Sequence, residues 1–331
     1  MVYPLPKQLI RDFAARCQTL YVIEELDPFI EEQVKAMGIK VRGKNMIPRC
    51  GELTPERLEH ALDRSAAETA YQHTETLPGR PPNMCAGCSH RGVFYTLKRL
   101  GAFVTGDIGC YTLGFLPPLS AMDTCLCMGA GISNATGMIK ALPQQERSKV
   151  VGVMGDSTFL HTGINSLIDM AYNGNLGTVV LLDNRITAMT GRQENPGSGY
   201  TLAGIESPPI DLAALCRVIG VKHVTLIDPY NLSRTEEVLR QEMERAELSV
   251  VIARRPCMLD RRHGPKPAPA LKVVAERCSG CKLCLKLGCP AISWEQEQAE
   301  PKAVIDTQLC SGCDLCRQLC KFEAIEVHHE Q

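Results

Sequence analysis

At 331 residues the chain is about twice the size of a usual single domain, so two or three separate cores are expected. Apolar residues make up 44% and charged residues 22%, which excludes long disorder, and a formal charge of −1 lacks the basic excess of a nucleic-acid binder. Lys7, Arg11 and Asp12 interrupt the stretch that a signal peptide would need apolar, and no run of about 18 apolar residues occurs, so the sequence reads as cytoplasmic, without a membrane span.

Residues 1–76 read as a small α/β domain. A helix is expected from Pro4 to Cys17 and a short strand over Leu20–Ile23. Asp27-Pro28 supplies an N-cap with proline at the first helical position, opening a helix that stops at Gly38. Ile39–Arg42 is a second strand candidate, Thr54-Pro55-Glu56 opens another capped helix, and Leu77–Pro82 is a stiff connector. From 83 to 260 apolar runs alternate with helical periods, the strand candidates being Phe103–Thr105, Val150–Met154, Thr178–Leu182, Val221–Ile227 and Val250–Ala253. That alternation predicts an α/β fold, a doubly wound parallel sheet whose ligands sit outside the carboxyl ends of the strands. The sign-alternating run Arg234–Arg245 is a solvated helix face. Residues 261–270 form a proline-rich linker, and 271–331 a cysteine-rich domain.

Seventeen cysteines are too many for a cytosolic chain without metal or redox chemistry, and eight of them lie between Cys278 and Cys320. Cys278, Cys281 and Cys284 are spaced CxxCxxC, with Cys289-Pro290 beyond; Cys310, Cys313 and Cys316 repeat the spacing, with Cys320 beyond. Three thiolates on one tight loop hold three irons of a cubane, while the fourth comes from the other run because its own loop points it away. The pairing is therefore crossed: one [4Fe-4S] cluster on Cys278, Cys281, Cys284 and Cys320, the second on Cys310, Cys313, Cys316 and Cys289. Structural zinc would also take four thiolates, but zinc motifs rarely pack such steps together. The segment resembles bacterial two-cluster ferredoxins, an α+β fold, although Lys321 stands where the second run often has proline and the gap before Cys289 is longer.

Lys149–Met154 runs as a buried strand into Gly155-Asp156-Ser157, and Thr178–Leu182 runs into Asp183-Asn184. Neighbouring parallel strands would deliver Asp156 and Asn184 to one end of the sheet, beside the helix N-terminus after Gly155, an arrangement suited to a diphosphate bridged by Mg²⁺. The Asp156 carboxylate, the Asn184 amide oxygen and the Ile186 carbonyl are hard oxygen donors. A lone Gly-Asp is an ordinary turn. The whole spacing, GDS and then 26 residues to Asn, matches the signature of thiamine diphosphate enzymes. Thr190-Gly191-Arg192-Gln193 just beyond it looks like the 2-oxoacid:ferredoxin oxidoreductases.

The resemblance extends upstream through Arg80-Pro81-Pro82, Cys85-Ala86-Gly87-Cys88-Ser89-His90-Arg91, Gly106-Asp107-Ile108-Gly109-Cys110, Cys127-Met128-Gly129-Ala130 and Gly155–His161. These phrases resemble, in order, the large subunits of the indolepyruvate ferredoxin oxidoreductases, and Val22–Glu25 and Gly51–Thr54 are similar to the domain before their cofactor domain. The resemblance implies oxidative decarboxylation of a 2-oxoacid such as an arylpyruvate, the acyl group passing to coenzyme A and the electrons to ferredoxin. It implies that a separate subunit supplies the pyrimidine-binding domain, joined by a small, gamma-type subunit. Glu24 and Glu25, expected at a strand end, are not assumed to replace the carboxylate of that domain. His90, His161 and Thr190 are the candidate catalytic residues, since neutral imidazole suits acid–base work near pH 7 and packing roles are equally open to the histidines. Gly129 is expected to let backbone approach the cofactor. Cys85, Cys88, Cys110 and Cys257 are either a third cluster, as pyruvate-type relatives suggest, or buried thiols. An electron-transfer subunit whose thiamine fold is only a docking scaffold is the alternative function; non-oxidative decarboxylation would leave two clusters unexplained.

Overall fold

The structure, a computed structural model, describes residues 3–62, 79, 81–266, 268–295 and 301–328. The chain divides into two compact units, Met1–Gly79 and Arg80–Gln331.

The first unit carries helices Lys7–Ala14, Phe29–Ala36 and Pro55–Leu62. The two expected strands reduce to one bridge between Tyr21 and Arg42, held by Val22 N–H to the Arg42 carbonyl (2.8 Å) and Arg42 N–H to the Leu20 carbonyl (2.9 Å). Among the described residues no third strand lies beside it, and a two-stranded pairing by itself is marginal, which is why it does not lengthen. The second helix begins one residue later than expected. Pro28 stays outside it, because the Glu24 carboxylate accepts the N–H groups of Ile30 (2.8 Å) and Glu31 (3.0 Å) and so caps the helix in place of Asp27. Glu25 likewise accepts the Leu53 N–H (2.9 Å), so both glutamates hold this unit together. Half of the connector expected at Leu77–Pro82, residues 77, 78 and 80, lies outside the described residues.

The second unit is built on six parallel strands: β1 (Phe103–Gly106), β2 (Thr124–Cys125), β3 (Val150–Gly155), β4 (Gly177–Asp183), β5 (His223–Ile227) and β6 (Leu248–Arg254), in the order β2-β1-β3-β4-β6-β5. Five match the expected strands, β5 starting two residues late; β2, only two residues long, carries no apolar run to announce it. Successive side chains alternate between the two faces. Val151, Val153, Val180, Leu182, Val251 and Ala253 enter one core, while Val150, Met154, Val179, Leu181, Val250 and Ile252 enter the other. Burial on both faces explains why these strands read as continuous apolar runs, each such side chain contributing about 1.5–3 kcal/mol relative to exposure. Helices Ala130–Ala141, Ile164–Tyr172 and Leu212–Ile219 cover the second face, and His90–Leu100 with Leu232–Glu244 cover the first.

The cysteine-rich segment packs on that first face, where Leu271, Leu287, Ile305, Leu315 and Ile325 join the same core as Val93, Phe94 and Leu97. Its strands are β7 (Leu271–Val273), β8 (Ile292–Glu295), β9 (Lys302–Ile305) and β10 (Ile325–Val327), paired antiparallel as β7 with β10 and β8 with β9. Each cysteine run lies between two strands and ends in a short helix, Cys284–Leu287 or Leu315–Leu319.

Candidate functional site

The chain passes outward from β1 to β2 and then returns to β3 on the other side of β1, so the strand order reverses between β1 and β3. Connections diverge there and leave a crevice at the carboxyl edge. A cavity occupies it, walled by Tyr111 after β1, Asp156 and Ser157 after β3, Asn184 and Thr190 after β4, and His90 from the helix ahead of β1. Segments up to a hundred residues apart in sequence thus meet because parallel strands end side by side.

Gly155 precedes a helical run that continues through the π-helical turn Phe159–Gly163 into Ile164–Tyr172. A Cβ at Gly155 would stand 2.7 Å from the Tyr111 ring, so this close approach requires glycine. Asp156 is 2% exposed; its Oδ1 accepts the Ser157 N–H at 2.7 Å, and its Oδ2 has no hydrogen-bond partner. Burial, followed by the nearby charge of Asp183, raises the Asp156 carboxyl to about 7. Asp183 itself is committed elsewhere, to Arg254 at 2.6 Å and Arg185 at 3.4 Å. The oxygen donor left beside Asp156 is therefore Asn184, whose Oδ1 accepts only a long bond from Ile186 N–H (3.2 Å). Arg185 takes up the left-handed conformation (φ 65°) at this sharp turn, and the chain folds back through paired hydrogen bonds between Thr187 and Gln193 to wall the cavity.

An unpartnered buried carboxylate oxygen and a neutral amide oxygen on residues that line one cavity fit a divalent cation, which would reverse the rise in the Asp156 pKa. Ser157 completes this wall, its Oγ accepting from the Thr187 hydroxyl at 2.7 Å. Thr190 sits exposed at the mouth, bonded to Gln193 (2.7 Å). His90 is 4% exposed, and burial lowers it to about 4, so it is neutral at physiological pH. Its Nε2 lies 3.5 Å from Asn184 Nδ2, from which the neutral ring accepts. His161, by contrast, is exposed on the π-helical turn and does not line the cavity. Gly129 lies at the N-terminus of the helix Ala130–Ala141 with φ 93°, and its N–H donates to Asp107 Oδ2 (3.0 Å).

Asp107 is the residue that sequence reasoning passed over. It is fully buried, accepts the Tyr111 hydroxyl as well as the Gly129 amide, and is raised by burial to about 6. It ties the end of β1 to the turn before Ala130. The signal was its place in Gly106-Asp107, a second Gly-Asp at a strand end like Gly155-Asp156.

The strand pairing of the cysteine-rich segment governs which sulfurs approach. The start of β8 lies against the end of β9, and Asp306 N–H donates to the Ala291 carbonyl (2.8 Å), so Cys289 comes beside the run that begins at Cys310. The start of β10 lies against the end of β7, and Val274 N–H donates to the Ala324 carbonyl (2.8 Å), so the segment that follows Cys320 pairs with the segment that precedes Cys278. Cys289, Cys310, Cys313 and Cys316 line one cavity with apolar walls. Burial raises the Cys316 thiol, and the neighbouring Cys313, Cys289 and Cys310 raise it further. Cys284 is raised to about 11 by burial and then by Cys278 and Cys281. Backbone amides point at sulfur, Leu271 N–H at Cys310 and Ala324 N–H at Cys320, each at 3.3 Å. A set of thiols in apolar surroundings with amide donors aimed at sulfur fits an iron–sulfur cluster. Burial raises Cys88 to about 12, with Cys85 and Cys110 adding to it, and burial raises Cys110, with Cys257 and Cys85 adding to it; of these four, Cys110 lines the cavity.

Residues 107–253 match the family profile described as "Thiamine pyrophosphate enzyme, C-terminal TPP binding domain", which agrees with the sheet and the cavity at its carboxyl edge. The chain is 36% identical to indolepyruvate oxidoreductase subunit IorA of Pyrococcus abyssi and 34% identical to that of Archaeoglobus fulgidus, in each case over 98% of its length. The chain thus resembles these 2-oxoacid oxidoreductase subunits along nearly its whole length. The chain spans about half the length of these relatives, 55% and 54%. It is also 28% identical to 2-oxoglutarate synthase subunit KorB of A. fulgidus, over 62% of this chain and 79% of that one. A solved structure titled as 2-oxoglutarate:ferredoxin oxidoreductase from Magnetococcus marinus aligns with TM-score 0.46 at 21% identity, over 56% of this chain and 68% of that chain. Among the described residues, no helix is long and apolar enough to cross a membrane.

Proposed function

We propose that the chain is the thiamine diphosphate-binding part of an oxidoreductase that converts an arylpyruvate such as indolepyruvate, with coenzyme A, to the acyl-CoA and CO₂. Electrons pass through two [4Fe-4S] clusters to ferredoxin. The observation that carries this reading is the buried, unpartnered Oδ2 of Asp156 beside Asn184, in a cavity at the reversal point of the sheet. Asp156 and Asn184 would hold Mg²⁺, with the Ile186 carbonyl a further donor, and the diphosphate would lie against the turn at Gly155 and Ser157. When bound, thiamine diphosphate supplies the carbanion that attacks the keto carbon and the cation that takes up the electrons left by CO₂.

This chain's own residues position and exclude. Neutral His90 holds the Asn184 amide so that its oxygen stays turned toward the metal. The Tyr111 ring packs against Gly155, and Asp107 anchors Tyr111 and Gly129 behind the cavity. Thr190, at the mouth, is the candidate to meet substrate, and His161, facing outward, would act from a partner interface. Ile108, Met128 and Met189 leave an exposed apolar rim around the cavity, which supports closure by a separate pyrimidine-domain subunit, with a small gamma-type subunit completing the assembly.

The crossed pairing, Cys278, Cys281, Cys284 with Cys320 and Cys310, Cys313, Cys316 with Cys289, is supported by strand pairings that join the segment after each late cysteine to the segment before the other run. A ferredoxin-like fold for 271–331 follows from that repeat. Cys85, Cys88, Cys110 and Cys257 are either a third cluster or thiols, and the iron content of the complex decides between the two. The test is the anaerobic complex assayed with indolepyruvate, phenylpyruvate, phenylglyoxylate and pyruvate, coenzyme A and a low-potential acceptor. Acceptor reduction that requires coenzyme A and is abolished by Asp156→Ala is expected. Reduction that survives this change would instead make the thiamine fold a docking scaffold.

A further inference from the structure

Arg91 follows His90 in sequence but serves the other side of the helix. It is 1% exposed and, among the described residues, heads the largest fully buried side chains. The guanidinium donates to the carbonyls of Met84, Cys85 (3.2 Å) and Leu287 (2.8 Å) and to Asn83 Oδ1 (3.2 Å). Every one of these acceptors is neutral. A buried cation without a counter-charge is expensive, and natural structures pair it. Among the described residues, the ionisable groups that act most strongly on it are the thiols of Cys289, Cys88, Cys313 and Cys85, and no ion pair joins it to a carboxylate. Arg91 also lines the cavity ringed by Cys289, Cys310, Cys313 and Cys316.

We propose that the Arg91 guanidinium is the built-in counter-charge of the cluster held by Cys289, Cys310, Cys313 and Cys316, and that it raises the reduction potential of that cluster. The inference rests on the reading that this quartet binds a [4Fe-4S] cluster. One-electron reduction makes and breaks no bond; it adds one negative charge to an already anionic thiolate cage, the electron coming from the oxidised 2-oxoacid. A fixed cation stabilises the more negative state, and Leu287, Ile305 and Leu315 keep water from screening it. The carbonyl cage fixes the guanidinium, so nothing needs to reorganise when the electron arrives. Arg91 is thus a positioning residue for charge, acting without contact with substrate.

The experiment is an EPR-monitored redox titration of the anaerobically purified complex, the relevant signal being the one lost in Cys289→Ser. Arg91→Met should lower its midpoint potential and Arg91→Lys should lower it less, with the Cys278-run signal unmoved. Asn83→Asp keeps Arg91 but sets a carboxylate beside it, and should lower the same midpoint. Iron analysis separates the two layers of the argument. Wild-type protein without iron at this quartet overturns the cluster reading itself. Full iron with unmoved midpoints in Arg91→Met and Asn83→Asp overturns the counter-charge and leaves Arg91 a clamp between segments. Where Arg91→Met loses its iron, the Asn83→Asp midpoint decides by itself: a fall supports the proposal and no change overturns it.

Discussion

The cavity at the sheet edge and the cavity among the late cysteines bind through opposite kinds of donor. The first presents hard oxygens, Asp156 and Asn184, delivered by strands whose ends lie 28 residues apart in sequence, at Gly155 and Asp183. The second presents soft sulfurs packed a few residues apart on loops, with one member borrowed across a strand pairing. The difference lies in what holds each site open. Oxygen donors stand on a sheet buried on both faces, so the sheet maintains the geometry whether or not a ligand is bound. Sulfur donors stand on loops between two-stranded sheets, where a bound cluster would do much of the ordering.

That contrast predicts all-or-none behaviour at sulfur and graded behaviour at oxygen. The largest effect is expected from Cys289→Ser. If the pairing is crossed, this change removes the cluster anchored by Cys310, Cys313 and Cys316 and leaves the Cys278 run loaded, so the iron content drops by about four per chain. Loss of the Cys278-run EPR signal instead would make each run self-sufficient and the pairing uncrossed. Wild-type iron near about twelve per chain would add Cys85, Cys88, Cys110 and Cys257 as a third site, whereas about eight would leave them as thiols.

Next comes Asp156→Ala. Because second-shell changes already cost 10–100-fold in metal affinity, losing the charged ligand should weaken thiamine diphosphate retention on the order of 100-fold or more, read by calorimetry with Mg²⁺ present. Asn184→Ala, which removes a neutral ligand, should cost about tenfold. Iron content should hold in both variants, because the donors of the two cavities stand on different elements. Cluster loss in Asp156→Ala would show that the sheet edge and the cysteine loops order one another.

Three sulfurs of each run were legible because the CxxCxxC spacing sets them close in sequence, whereas the fourth is brought up by a strand pairing that no local spacing announces. The sequence made Asp156 and Asn184 legible through strands that are apolar throughout, since burial on both faces leaves an unbroken run ending in a polar turn. Position relative to the cavity was not legible. His90 and His161 look alike as residues, yet one is enclosed beside Asn184 and the other is turned outward by a π-helical turn that no residue pattern announces. Arg91 reads as one more charge after His90, because which face of a helix becomes the core is decided by the partner packed on it, here Leu287 and its neighbours. The strands at Leu20–Ile23 and Ile39–Arg42 were overread for the same reason: propensity was present, but no third strand was there to extend the pairing.

Proton competition offers a finer measure of the oxygen site. Asp156, raised to about 7 without a cation, must lose its proton to bind Mg²⁺. Mg²⁺-dependent cofactor affinity should therefore fall about tenfold per pH unit below about 7 and level off above it. A flat profile from pH 5 to 8 would mean that Asp156 is ionised throughout and that its burial is relieved by groups other than the metal.

The smallest effect belongs to His90→Gln, and it sharpens the comparison because it separates holding a ligand from being one. The bond from Asn184 to His90 is long, at 3.5 Å, so losing the imidazole should weaken cofactor affinity only several-fold, at the low end of second-shell effects. Stability should carry a second signature. His90 is lowered by burial from 6.5 to about 4, so the unfolded chain binds a proton that the folded chain refuses between those values. The stability linked to His90 is therefore complete above about 6.5 and lost as pH falls through about 4, an amount on the order of 3 kcal/mol. Asp107 and Asp156, both raised by burial, act in the opposite direction, binding protons more tightly when folded. Subtracting the variant's urea-unfolding free energy from the wild type's cancels them and isolates the histidine. The wild type should then lose stability relative to His90→Gln as pH drops from 7 to 4, with cofactor affinity nearly retained in the variant. A pH-independent difference would place His90 in contact with solvent, and a loss of affinity as large as that of Asp156→Ala would make it a ligand.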